Sequence, residues 1–103
     1  MAATRTERAA ADPSPDALEV LLHTDGLEPR WWSNDPGDRY ASHSHPYHKV
    51  LYCSEGSIVF HTDQGDIELH PGDRLDIDPA TDHAATVGPR GVTCVEAPVP
   101  PTP

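Results

Sequence analysis

From Arg39 to Ala97 the chain alternates short apolar runs with clusters of Gly, Pro, Asp and Asn. The runs are Lys49–Ser54, Ser57–Thr62, Asp66–Leu69, Arg74–Ile77, His83–Val87 and Gly91–Ala97. Most are rich in β-branched or aromatic residues. Breaks fall at Glu55-Gly56, Asp63-Gln64-Gly65, His70 to Asp73, Asp78 to Asp82 and Gly88 to Gly91. Short strands at this even spacing predict an all-β sandwich or barrel. Helix is expected in one place at most. Ser14 is suited to an N-cap and Pro15 to the first helical position. A helix from there would put Leu18, Leu21 and Leu22 on one face, although the run LEVLLH also reads as an edge strand. Trp31 and Trp32 lie in a further extended run. On a strand, adjacent side chains face opposite sides, so one Trp enters the core and the other covers an outer face. Packing is the expected role of both.

These patterns divide the chain into three parts. Residues 1–14 show no periodicity and read as a disordered arm. Residues 15–97 form a single domain. Residues 98–103, PVPPTP, lack the N–H donors of a central ladder and read as a Pro-rich extended tail. A domain this small buries a modest core, so a homodimer is expected.

Charge narrows the classes of partner. Seventeen acidic residues face seven basic ones, a formal net charge of −10. Nucleic acids and anionic membrane surfaces need a positive footprint that this chain lacks. No apolar run is long enough to span a bilayer. The N-terminal stretch has no apolar core of a secretory signal, so a cytoplasmic protein is expected. Cys53 and Cys94 each sit in an apolar run and are expected to pack as small hydrophobes. A disulfide between them requires that their strands be neighbours.

The chemistry concentrates between Tyr40 and Gly56, YASHSHPYHKVLYCSEG. Two histidines spaced two apart on a strand point the same way, so His43 and His45 can reach one metal ion or one pocket. Lys49 is the single lysine in a chain that otherwise uses arginine. If His43 and His45 face inward, Lys49, Leu51 and Cys53 share that face.

The segment Gly37–Gly56 resembles the first signature of the cupin superfamily: Gly, five residues, His-x-His, three or four residues, Glu, six residues, Gly. Gly37, His43, His45 and Gly56 fall in place, and Lys49 stands where Glu is usual. The second signature is similar over Gly72 to Val87. Gly72 and His83 match it, while Asp78, Ala80 and Val87 replace its Pro, Gly and Asn. This resemblance, over roughly residues 30 to 97, implies a double-stranded β-helix, the jelly-roll barrel. It also implies that His43, His45 and His83 point inward and hold a divalent transition metal. Imidazole suits Fe, Mn, Ni, Cu and Zn alike. Three imidazoles leave positions open for water or substrate.

Lys49 leaves four outcomes open, because an ammonium and a metal ion repel in a dry cavity. The site can be metal-free, with Lys49 paired to a carboxylate or an anionic ligand. Lys49 can be neutral or turned away beside a three-His metal. His48 can replace the missing Glu if the chain is irregular after Pro46. Or Lys49 can be reactive, as a base or Schiff-base amine. Two functions follow. The first is a cupin that holds a metal through its His cluster and binds a small organic molecule, as a dioxygenase- or isomerase-type enzyme. The alternative is a metal-free or non-catalytic binding or sensing module in which Lys49 pairs with an anionic ligand.

Overall fold

The computed structural model describes residues 2–101. Seven strands and one helix follow in the order β1 (Ala3–Thr6), α1 (Pro15–Thr24), β2 (Arg30–Asn34), β3 (Arg39–His43), β4 (His48–Thr62), β5 (Gly65–Leu69), β6 (Arg74–Ile77) and β7 (His83–Val99). All strand pairs are antiparallel.

The long strands β4 and β7 run beside each other and organise the rest. Their early and late halves pair as His48–Cys53 with Cys94–Val99, and Ile58–His61 with Ala84–Val87. Between these stretches the register shifts, at Cys53 to Glu55 and at Gly56 to Ile58. One half-sheet adds β6 and β1 beyond β4, and β2 beyond β7. The other adds β5 beyond β4 and β3 beyond β7. The inner core joins the two halves: Leu51, Cys53, Leu75, Ile77 and Cys94 from one, Ile58, Phe60, Leu69, Ala85 and Val87 from the other. This is the jelly-roll, double-stranded β-helix arrangement.

Glu55-Gly56 was expected to end a strand, and instead it bends one. Gly56 sits at φ +73°, and a β-carbon there would fall 1.9 Å from the Gly91 carbonyl oxygen. Only glycine allows the two strands this close approach.

Alternation along β4 sends Lys49, Leu51 and Cys53 inward and Val50 and Tyr52 outward. The outer face is covered by α1, whose Leu18 and Leu22 are fully buried against Val50, Tyr52, Val95 and Ala97. Ser14 caps the helix by accepting a hydrogen bond from the Ala17 N–H, and Pro15 opens its first turn. These features settle the helix-or-edge-strand alternative in favour of helix. Full burial of each leucine stabilises by roughly 1.5–3 kcal/mol. The tryptophans divide as expected, with Trp31 packing on the outer cluster and Trp32 on the inner one.

Both ends depart from expectation. Residues 3–6, placed by composition in a disordered arm, form β1 on the free edge of β6, with Ala3 opposite Ile77. The arm is held further along as well. Ala10 N–H donates to the Gly72 carbonyl, Arg8 N–H to the buried Asp73 carboxylate, and Ser54 Oγ to the Pro13 carbonyl. An open sheet edge supplies the backbone partners that composition does not reveal. At the other end, Pro98 and Val99 continue β7 opposite Lys49 and His48. β2 stops at Glu96, so β7 has a neighbour on one side only at Pro98, where a missing N–H is tolerated.

Cys53 and Cys94 lie directly opposite each other on β4 and β7. Both are free thiols with no exposure. The Cys53 hydrogen bond and then burial push the Cys94 thiol up, so it stays a thiol and packs as a hydrophobe. Among the described residues, no helix is long and apolar enough to cross a membrane.

Candidate functional site

Three histidines meet at one end of the space between the half-sheets. His43 ends β3 and His83 begins β7, directly opposite it in the register. His45 follows in the loop before β4, where its carbonyl accepts a hydrogen bond from Ala80 N–H. The ring centroids lie 4.3 Å apart for His43 and His83, 5.0 Å for His43 and His45, and 5.5 Å for His45 and His83. One ring nitrogen from each falls within 4.8 Å of the others.

Backbone carbonyls fix which nitrogens face the centre. His43 Nδ1 lies 2.8 Å from the Ala41 carbonyl, and His83 Nδ1 lies 2.9 Å from the Thr81 carbonyl. A carbonyl only accepts, so each Nδ1 carries the proton and each Nε2 carries a lone pair. Nε2 of His45 and Nε2 of His83 are buried without a hydrogen-bond partner. Buried polar atoms are ordinarily paired, so these two unpartnered nitrogens fit a ligand such as a metal ion. Burial pushes both imidazoles below the usual histidine range, and the charges of Lys49 and His43 push the same way. The neutral form that results is the form a metal ion binds.

His48 stands apart from this cluster. It sits beside Lys49 on a regular strand and therefore faces outward, where Nε2 meets Asp76 Oδ1 at 3.0 Å. Pro46 does not turn it inward, so the structure does not bring His48 to the three-His centre.

Lys49 occupies the family's Glu position and does point into the pocket. It is 8% exposed. Its Nζ lies 3.4 Å from Glu96 Oε1, on β7. The acidic run Asp73 to Asp82 does not supply its partner. Asp73 accepts from the Arg8 and His70 N–H groups, and Asp76 pairs with Arg74 and His48. Glu96 also accepts from Trp32 Nε1 at 2.7 Å. Sequence reasoning passed over Glu96, yet it shares inward parity with Cys94 and Val92 on an otherwise apolar strand. That parity was the available signal.

The cavity beside these groups measures about 200 Å³. Trp32, Tyr40, Leu51, Ile58, Phe60 and Ala85 form its walls, and His43, His83, Lys49 and Glu96 are its polar groups. Tyr47 stacks on His45 at 5.1 Å. A three-nitrogen cluster next to an apolar chamber can hold an ion and leave positions facing a small molecule.

Comparison with known proteins places the fold. Residues 30–89 match the family model described as a cupin domain. Quercetin 2,3-dioxygenase of Bacillus subtilis (strain 168) is 37% identical over 76 residues, a stretch covering 73% of this chain and 20% of that protein. The chain thus spans about a fifth of that relative's length. Among solved structures, an RmlC-like cupin from Shewanella frigidimarina is 27% identical with a TM-score of 0.64, covering 73% of this chain and 67% of that one. A DUF861-family protein from Thermotoga maritima, 14% identical, aligns with a TM-score of 0.68 over 95% of this chain and 100% of its own. With a matched family model across most of its barrel, and with that family's fold, the chain belongs to the cupin superfamily.

Proposed function

We propose that this protein is a metal-dependent cupin in which His43, His45 and His83 hold one divalent transition metal beside a pocket for a small organic molecule. The observation that carries this reading is the pair of buried, unpartnered Nε2 atoms on His45 and His83. Their nitrogens converge with that of His43. Ala41 and Thr81 hold two of the imidazoles in the tautomer a metal needs. The side chains of Trp32, Leu51 and Phe60 give the ligand an apolar wall. When bound, the ion supplies Lewis-acid character and open positions for an oxygen donor. The likeness to a protein named quercetin 2,3-dioxygenase supports dioxygenase-type chemistry, which requires Fe, Mn, Ni or Cu rather than Zn.

Metal analysis of untagged protein by mass spectrometry tests the proposal. Stoichiometric metal is expected in the wild type after reconstitution, and its loss in His83→Ala. Sub-stoichiometric metal in reconstituted wild type would sink the reading. The buried Lys49 ammonium favours a second reading, a metal-free binding module, because its charge opposes a cation nearby. That reading predicts ligand binding in protein that takes up no metal.

A further inference from the structure

Lys49 is a buried cation that the protein leaves incompletely satisfied. Its side chain is 10% exposed. An ammonium group carries three N–H donors. Among the described residues its one hydrogen-bond partner is Glu96 Oε1, at 3.4 Å. Charge-assisted N–H···O bonds usually measure about 2.7–2.9 Å, so this contact is loose. The same oxygen also accepts a shorter hydrogen bond from Trp32 Nε1, at 2.7 Å. Two ammonium donors therefore remain unused beside a cavity of about 200 Å³.

We infer that Lys49 anchors the carboxylate of a small organic acid with an apolar body, and that Glu96 is the internal anion held against it until the acid arrives. Two carboxylate oxygens match the two free donors, and the added negative charge offsets the desolvation of the ammonium. The remaining walls choose the body of the acid. Trp32, Tyr40, Leu51, Ile58, Phe60 and Ala85 offer apolar surface. The volume lies below the roughly 300–1,000 Å³ of sites for drug-sized ligands, which limits the body to about one ring or one branched chain. Among the described residues Lys49 is the single Lys or Arg side chain lining this cavity. In the metal-free protein, one cationic side chain beside Glu96 suits a monoanion better than a phosphate dianion. The inference rests on reading this cavity as the ligand site, and it names the class of molecule that site takes.

Isothermal titration calorimetry at pH 7 tests it. The probes are benzoate, phenylacetate and isovalerate, their matched amides, and inorganic phosphate. The proteins are wild type, Lys49→Met and Glu96→Gln, each after chelator treatment and after metal reconstitution, with a cooperative melt as the check on folding. At least one acid is expected to bind wild type about tenfold or more tightly than its amide. Lys49→Met erases that preference. Glu96→Gln strengthens acid binding several-fold, because the competing charge is gone, whereas a merely structural pair would weaken it. The inference is overturned if no acid outbinds its amide, if the preference survives in Lys49→Met, or if phosphate binds more tightly than every acid. Acid preference in chelator-treated protein that takes up no metal supports the anchor and removes the metal reading. Metal uptake without acid preference does the reverse.

Discussion

His45 and His83 are held neutral by their surroundings, and this has a consequence for stability. Burial is the first cause of each lowered pKa, with repulsion from neighbouring cations behind it. An unfolded chain takes up protons near the ordinary histidine value of about 6.5, while the folded imidazoles resist them. The unfolded state then binds more protons, so stability falls as pH drops below about 6.5 and levels off once the folded imidazoles titrate. Metal-free protein is expected to show this decline in thermal melts, and His83→Gln is expected to flatten it. An unchanged slope in the variant would refute the assignment. Asp76 works in a separate window. Burial opposes its ionisation, but hydrogen bonds from Arg74 and His48 outweigh that and hold its carboxyl below the usual range. Its contribution is present above about pH 3.8 and is lost as pH falls through the folded value. Ala80 carries a different kind of strain, at φ +60° where the family signature has Gly. A left-handed alanine costs roughly 1–2 kcal/mol, partly offset by glycine's greater freedom when unfolded. Ala80→Gly is therefore expected to stabilise by about 0.5–1 kcal/mol, read as a higher melting temperature.

At the scale of elements, what the sequence made legible depended on whether an element's partners are near in the chain. Helix α1 was one of two readings that Ser14, Pro15 and the leucine spacing left open, and its packing on the outer face decided between them. The inward face of β4 followed from period-2 alternation. The continuity of β4 through Gly56 did not, because a glycine at a close strand crossing looks in sequence like a glycine in a turn. β1 was illegible for the same reason, since ATRT becomes a strand only when the edge of β6 is beside it. The His triad was readable from the family spacing, whereas Glu96 needed knowledge of which side of β7 faces the pocket. The arm offers a direct test. A chain lacking residues 1–11 loses β1 and the hydrogen bonds that Arg8 and Ala10 make to Asp73 and Gly72. It is expected to melt at lower temperature and, with β6 left as an open edge, to self-associate as concentration rises. Calorimetry and light scattering read the two effects. An unaltered melt would show that the arm adds nothing to the barrel.

The whole molecule couples its site to its fold, because His83 comes from a segment far in sequence from His43 and His45. β3 supplies His43, the following loop supplies His45, and β7 supplies His83. An ion held by all three ties β3 and its loop to β7, and the unfolded chain presents no such cluster. Metal is therefore expected to stabilise the barrel by mass action, by about 2.7 kcal/mol when free metal is a hundredfold above its dissociation constant. Lys49 sets the size of that effect. Its ammonium opposes the ion, and a carboxylate at the same position would attract it and add a ligand. Lys49→Glu is expected to bind metal more tightly and to show a larger metal-induced rise in melting temperature than wild type. The same variant without metal is expected to melt lower, because the introduced carboxylate would face Glu96 where the Lys49 ammonium now pairs with it. His83→Ala is expected to show no metal-induced rise. Thermal melts with chelator and with added Fe, Mn, Ni, Cu or Zn measure all three outcomes. An equal rise in His83→Ala would place any bound metal elsewhere on the molecule.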